Sequence, residues 1–198
     1  MLESIGAPPA TAAVDHCVVL RHVGWREYEA LAAARGDSSK PRMTYLDGTL
    51  WIMSPSPEHD AISRMFDRLL TAFAEETGVE LNAFGSWTLK REPERGVEAD
   101  ESYVVGPRTR DVPDLVIEVV WTVEIADKLD VYCALGVPEA WVWKGGGIEV
   151  HVLGERGYER AARSVLLPAL DLDLAARLVT RTDQISAVRE WRAAVRAR

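Results

Sequence analysis

The fold of this chain is decided by the stretch Pro113-Asp114-Leu115-Val116-Ile117-Glu118-Val119-Val120-Trp121. From Leu115 onward it is apolar except for Glu118, which is the pattern of a strand buried on both faces of a sheet. A helix is predicted at about 123–135 and a further strand at 139–143. A buried strand, a crossover helix and another strand predict an α/β domain whose sheet is covered on both sides.

Turn and cap residues predict the elements before this stretch. Asp47-Gly48 is the signature of a tight hairpin between strands at 43–46 and 49–53. Ser56 suits the cap of a long helix that begins at Pro57 and ends at Gly78. The remaining predictions here are a helix at 25–35 and strands at about 80–84, 87–91 and 98–105.

The later elements and the domain boundaries are predicted in the same way. Strands are expected at 148–153 and 158–161, and Asp183 is expected to cap a final helix. We expect a tail at 1–20, one domain at 21–180 and a C-terminal helix at 181–198.

Composition limits the function. The net charge of −8 and the pI near 5.1 argue against a high-affinity, non-specific DNA-binding protein, because neutralising phosphates takes clustered Lys and Arg. A metal-dependent nuclease is not excluded, since a bound cation reverses the local charge of a carboxylate site.

Residues 1–14 lack a signal-peptide pattern, no apolar run is long enough to cross a bilayer, and Cys17 and Cys133 form no CxxC pair. We therefore expect a reduced, cytoplasmic protein.

Two acidic residues are candidates for a metal site. Glu118 interrupts a buried strand, where a carboxylate is costly unless it is paired or binds a metal; the alternative is that it points to the sheet rim or meets a buried Arg. Asp100 lies among three acids within 98–101, a pattern that also fits a solvated turn. Carboxylates on neighbouring strands can share one hard cation through their oxygens.

Three more residues are weaker candidates. Lys128 borders the apolar stripe of the 123–135 helix, although an exposed pair with Glu124 would explain it too. Glu58 and His59 begin the long helix near its apolar stripe. The helix dipole alone favours Glu58, and a buried, hydrogen-bonded histidine is a common alternative for His59.

Four blocks of the sequence, in order, resemble one known family. The first block consists of residues 45–50 and 53–59. The other three are 96–101, 113–119 and 127–141. The family is a bacterial group described as putative restriction endonucleases, formerly a domain of unknown function, within the PD-(D/E)XK nuclease superfamily. The resemblance covers about 25–174. It implies a restriction-endonuclease-like three-layer α/β/α core with a mixed β-sheet, preceded by an N-terminal helix and β-hairpin.

The resemblance also implies roles for particular residues. Asp100 and Glu118 would hold Mg²⁺, with Mn²⁺ as a substitute, and the Val119 carbonyl would be a third ligand. The usual superfamily lysine position is Val120 here, so Lys128 from the following helix would take its place. Glu58 would complete the site. The chain departs from the family pattern at Ala99, where a proline is expected.

The function expected from these features is Mg²⁺-dependent endonucleolytic cleavage of DNA by a homodimer. An alternative is a catalytically inactive nuclease-fold module for binding or assembly, which the acidic composition and Ala99 favour. A third possibility is a metal-dependent hydrolase with a smaller phosphate substrate.

Overall fold

The computed structural model describes residues 14–107, 110–120 and 126–198, and within these ranges the chain forms eleven strands and five helices. In chain order they are β1 (His16–Arg21), α1 (Trp25–Arg35), β2 (Arg42–Leu46), β3 (Thr49–Ser54), α2 (Pro57–Thr77), β4 (Leu81–Ala83), β5 (Thr88–Arg91), β6 (Arg95–Glu98), β7 (Glu101–Val105), β8 (Leu115–Val120), α3 (Ala126–Leu135), β9 (Glu139–Lys144), β10 (Gly147–Gly154), β11 (Gly157–Ala161), α4 (Leu172–Leu178) and α5 (Gln184–Arg196).

The strands form two sheets. One has five antiparallel strands in the order β1-β3-β2-β6-β5, and the other has six strands in the order β11-β10-β9-β8-β7-β4. In the six-stranded sheet β8 and β9 are parallel and every other pairing is antiparallel, so this sheet is mixed, as predicted. The parallel pair needs a crossover, and α3 lies between the two strands in the chain.

Strand β8 is buried on both of its faces, as its apolar sequence predicts. Leu115, Ile117 and Val119 pack in the core cluster that contains the apolar side of α2. Val116 packs instead with Val131 and other α3 residues. Alternation along the strand therefore directs one set of side chains to α2 and the other to α3, which produces an α/β/α arrangement around the six-stranded sheet.

The hairpin and the helix caps follow the sequence signals. Asp47 and Gly48 both have positive φ, 44° and 84°, which is the backbone of the tight turn predicted between β2 and β3. The Ser56 side chain accepts a hydrogen bond from the His59 amide at the start of α2, and Asp183 caps α5 in the same way.

Two details differ from the sequence-based expectation. The strand predicted at 98–105 is two strands, β6 and β7, which belong to different sheets. The chain passes between the sheets at 99–100, where the Asp100 carboxylate accepts a hydrogen bond from the amide of Val119. Within the expected tail, residues 16–20 form most of β1, which pairs with β3.

Among the described residues, no helix is long and apolar enough to span a membrane. Both cysteines are free thiols and each is partly buried. The first part of the predicted 123–135 helix lies outside the described residues, and the described part, α3, begins at Ala126.

Candidate active site around strand β8

Glu118 lies in the middle of β8 with 1% of its surface exposed. One carboxylate oxygen, Oε2, accepts a hydrogen bond from the Lys128 Nζ at 2.8 Å. The other, Oε1, accepts a short hydrogen bond from the Tyr132 hydroxyl. The strand therefore directs this carboxylate toward α3, where two side chains one helical turn apart bind it.

Lys128 reaches inward from α3. Its side chain is 16% exposed, and Nζ donates to the backbone carbonyl of Glu98 at 3.3 Å in addition to the Glu118 carboxylate. The alternative partner from the sequence, Glu124, lies outside the described residues. Lys128 is therefore a partly buried cation held between a buried carboxylate and a backbone carbonyl.

Tyr132 is fully buried beside Glu118. Burial, together with the negative Glu118 carboxylate, raises the pKa of the Tyr132 phenol well above its ordinary value. The hydroxyl therefore keeps its proton and serves as a donor to Glu118.

Asp100 lies between β6 and β7 and is 2% exposed. Its Oδ2 accepts a hydrogen bond from the Val119 amide at 2.7 Å. Since Val119 directly follows Glu118 in β8, this bond fixes the Asp100 carboxylate beside the backbone that carries Glu118. The Asp100 carboxylate thus lies beside the β8 residue that follows the other predicted ligand, Glu118.

The three acids within 98–101 are all buried, with 4%, 2% and 2% of Glu98, Asp100 and Glu101 exposed. The solvated-turn alternative is therefore wrong. Glu98 binds Arg35 and accepts hydrogen bonds from the Met43 amide and the Thr88 hydroxyl, which ties α1, β2 and β5 together. Its role is structural, and Asp100 is the acid that faces β8.

His59 connects Asp100 to the N-terminal segment. The buried ring has Nδ1 3.0 Å from Asp15 Oδ2 and Nε2 3.0 Å from Asp100 Oδ2. Asp15 is held in turn by the Ser56 amide at 2.8 Å. Burial lowers the pKa of His59, and the hydrogen bond and charge of Asp15 oppose that shift. The buried, hydrogen-bonded interpretation of His59 is confirmed.

Arg42, on β2, provides the positive charge for Asp100. Its Nη1 forms a close ion pair with Asp100 Oδ1 and lies 3.3 Å from His59 Nε2. A guanidinium only donates and a carboxylate only accepts, so His59 Nε2 either accepts from Arg42 or, when it carries a proton, donates to Asp100, and Nδ1–H donates to Asp15. Arg42 is 7% exposed, which makes its pairing with Asp100 a buried one.

Glu58 lies apart from this cluster. It is exposed in the first turn of α2, whereas its neighbour His59 is the residue of that turn that faces the sheet. The prediction that Glu58 completes the site is not tested by this arrangement and stays a prediction.

The carboxylate oxygens of this cluster are ligands of the kind that suit a hard divalent cation, if water and substrate supply most of its other ligands. Asp100 Oδ1 has Arg42 as its ion-pair partner but no well-aligned hydrogen bond within the described part of the chain. Within that same part, no three His, Cys, Asp or Glu side chains are grouped so that they could hold a metal. Mg²⁺ is commonly bound by one or two carboxylates while keeping several waters, so Asp100 and Glu118 fit that ion.

Sequence reasoning missed three members of the cluster, which are Asp15, Arg42 and Tyr132. Asp15 falls in the segment expected to be a tail, and Arg42 begins a strand after a polar loop. Tyr132 falls among the buried apolar residues of α3, where a tyrosine needs no functional explanation, and only the coordinates show that its hydroxyl donates to Glu118.

Comparisons with known proteins identify the family and the fold of the chain. The model of the family described as "Uma2: Putative restriction endonuclease" matches residues 25–180. The crystal structure of a putative nuclease belonging to DUF820 from Anabaena variabilis has a TM-score of 0.53 and 15% sequence identity, covering 85% of this chain and 98% of that chain. This likeness confirms the predicted restriction-endonuclease-like fold. The search of curated proteins gave no match.

Proposed function

We propose, from the premise that this chain belongs to the Uma2 family of putative restriction endonucleases, that it hydrolyses phosphodiester bonds in DNA with the help of Mg²⁺. The observation that carries the proposal is the convergence of Asp100, Glu118 and Lys128 around two consecutive residues of β8. These are the residues to which the family resemblance assigns metal binding and catalysis.

Asp100 and Glu118 would hold the ion, with the Val119 carbonyl as the backbone ligand. The ion would polarise the phosphate and lower the pKa of water in its shell. Mn²⁺ has the same preference for oxygen ligands and is expected to substitute.

Lys128 would supply a fixed positive charge on the α3 side of the scissile phosphate. Its Nζ is held by Glu118 and by the Glu98 carbonyl, so little reorganisation is needed for it to orient a water molecule or stabilise the charge that develops on the phosphate oxygens. Tyr132 keeps the Glu118 carboxylate in a single orientation through its hydrogen bond.

A cleavage assay tests this function. The wild type, Asp100→Asn, Glu118→Gln and Lys128→Met are compared on plasmid and linear DNA with Mg²⁺ or Mn²⁺, after thermal melts establish that each variant is folded. We expect the wild type to cleave DNA and these three variants to be inactive. Glu58→Ala, measured in the same assay, shows whether that exposed acid contributes to cleavage. Equal activity in all variants would mean that the site is wrong or that a contaminant cleaves the DNA.

A second candidate function is a nuclease-fold module that binds without cleaving. The ion pair between Arg42 and Asp100 favours it, because an internal cation already neutralises one of the proposed ligands. Titration calorimetry with Mg²⁺ and Mn²⁺ separates the two functions. Binding heat that Asp100→Asn abolishes supports the nuclease, and the absence of any binding heat in the wild type supports the module.

The protein is also proposed to act as a homodimer through β1. This strand lies at one edge of the five-stranded sheet, and three of its apolar side chains are exposed: Val18 at 56%, Val19 at 44% and Leu20 at 38%. An exposed apolar edge strand is a template for pairing with a second copy. Sedimentation of the wild type and of Val18→Lys would show a dimer that the substitution weakens; a monomeric wild type would contradict the proposal.

A further inference from the structure

A small polar cavity opens beside Asp100, on the α2 side of the candidate site. Its volume is about 100 Å³, enough for a phosphate group, and its lining includes Ser39 and Ser86. We infer that this cavity binds a phosphate of the DNA backbone through Lys40, Arg42 and Arg64. The inference rests on the proposed function, because it names the group that recognises the substrate next to the cleaved bond.

The three cations reach the cavity from two separate parts of the chain. Lys40 and Arg42 come from the loop and first residue of β2, and Arg64 comes from α2. Convergence of basic side chains from distant segments on one cavity is unusual in a chain with a net charge of −8. Together with the three acids of the same wall, these side chains bring the local charge close to zero, which is less negative than the chain as a whole.

The guanidinium of Arg42 does not use all of its hydrogen-bond donors. It is 7% exposed, and its Nε has no hydrogen-bond partner among the residues that the structure describes. Its Nη2 lies 3.9 Å from Asp60 Oδ1, which is too far for a hydrogen bond. Arg42 is one of the residues that line the cavity, and a guanidinium binds phosphate oxygens through its N–H groups.

The Arg64 side chain is also free to bind a phosphate. It is exposed and forms no ion pair within the described ranges of the chain, although its charge acts on the nearby Glu101. Lys40 is bound to Asp60 at the cavity rim, where both side chains are accessible to solvent and can exchange partners easily.

The acids of the cavity nearly balance these cations when no ligand is present. Asp60, Asp100 and Glu101 also line it. A divalent cation at Asp100 would add two positive charges, and the cavity would then have a net positive charge. Binding of the cation and binding of a phosphate are therefore expected to strengthen each other.

The test measures DNA binding by fluorescence anisotropy with a short labelled duplex, in Ca²⁺ to limit turnover, for wild type, Lys40→Ala, Arg64→Ala and the double variant. Each single variant is expected to weaken binding about tenfold and to reduce the salt slope of log Kd by about 0.9, as for one lost phosphate contact. Binding should also be tighter with Ca²⁺ than with EDTA. Lys90→Ala and Arg160→Ala, which remove exposed cations paired with Glu29 and Glu149 elsewhere, are the matched controls and should change Kd less than twofold.

Competition by inorganic phosphate identifies the source of the bound group. A phosphodiester subsite predicts that millimolar inorganic phosphate displaces little of the DNA, and complete displacement at that concentration would overturn the assignment to DNA. Three other results would also overturn the assignment. Lys40→Ala and Arg64→Ala could leave Kd and the salt slope unchanged, the control variants could lose as much affinity as these two, or the wild type could fail to bind DNA.

Cleavage in Mg²⁺ separates this inference from the proposed function. A wild type that binds DNA through the cavity but does not cleave it contradicts the nuclease and leaves the cavity assignment supported. A wild type that cleaves DNA, with KM unchanged in Lys40→Ala and Arg64→Ala, contradicts only the cavity assignment.

Discussion

The two buried carboxylates of the site have very different surroundings. Glu118 is bound by Lys128 and Tyr132, which lie 10 and 14 residues further along the chain on one helix. Asp100 is bound by the Val119 amide, by His59 at a separation of 41 residues, and by Arg42 from another sheet. The Glu118 side is a local motif, whereas the Asp100 side is assembled from distant parts of the chain.

This difference predicts different roles for the residues around Asp100 and the residues around Glu118. Arg42 and His59 are buried, so the Asp100 side should contribute mostly to folding and to the position of the ligand. Lys128 is partly exposed, so the Glu118 side should contribute mostly to catalysis. Four substitutions test this division, from the largest expected effect to the smallest.

Arg42→Met should have the largest effect, and on stability. It leaves the buried Asp100 carboxylate without its cation, which costs about 3–5 kcal/mol in the free energy of unfolding. Added Mg²⁺ should recover part of this loss, since the ion would replace the missing charge. Urea denaturation with and without Mg²⁺ measures both effects.

The matched control for that experiment is Arg160→Met, which removes an exposed arginine paired with Glu149 and should change stability by less than about 1 kcal/mol. If Arg42→Met costs no more than this control, the Asp100 side is not the structural half of the site.

Lys128→Met should act mainly on catalysis. Loss of a preorganised charge next to the phosphate is expected to lower kcat about 10²–10³-fold. The change in unfolding free energy should be smaller than for Arg42→Met because Lys128 keeps some contact with water. Steady-state cleavage kinetics give kcat, with Lys90→Met as the control; a normal kcat in Lys128→Met would remove the lysine from the mechanism.

The acid that follows Asp100 should give the metal-free protein a pH-dependent stability. Burial, and secondarily the nearby Asp67, raises the pKa of Glu101 from about 4.5 to about 7, although a hydrogen bond from Ser63 opposes the shift. The folded state therefore holds a proton that the unfolded chain releases near pH 4.5, and stability falls as pH rises from about 4.5 to 7, by on the order of 3 kcal/mol.

Denaturation at a series of pH values measures this slope. Glu101→Gln cannot titrate at this position and should lose the fall in stability that the wild type owes to Glu101, while Glu149→Gln, at an exposed position, should keep the wild-type profile. A wild-type profile that runs parallel to that of Glu101→Gln between pH 4.5 and 7 would show that Glu101 is ionised in the folded protein throughout the window.

Tyr132→Phe should have the smallest effect. It removes one donor to Glu118 and leaves that oxygen buried, which costs about 1–3 kcal/mol. Because Lys128 still holds the carboxylate, DNA cleavage should fall less than in Lys128→Met. A larger fall in cleavage than in Lys128→Met would make the tyrosine, and not the lysine, the main partner of Glu118 in the reaction.

The same contrast explains how much the sequence could predict. The buried strand 115–120, the hairpin turn at Asp47-Gly48 and the Ser56 cap follow from local patterns, and the structure confirms them. The inward position of Lys128 agrees with the family resemblance.

The Asp100 side could not be predicted because its contacts depend on how the two sheets meet. A single strand at 98–105 was expected, since nothing in the local pattern marks the crossing at Asp100. Asp15 has the residue type for a partner of His59, but only the pairing of β1 with β3 brings it there.

The most direct test of the account is a crystal soaked in Mn²⁺ and measured for anomalous scattering. The account predicts one strong peak within about 2.1 Å of a carboxylate oxygen of both Asp100 and Glu118. A peak that touches only one of the two, or no peak while Arg42 stays paired with Asp100 and Lys128 with Glu118, would contradict the claim that these acids share a metal ion.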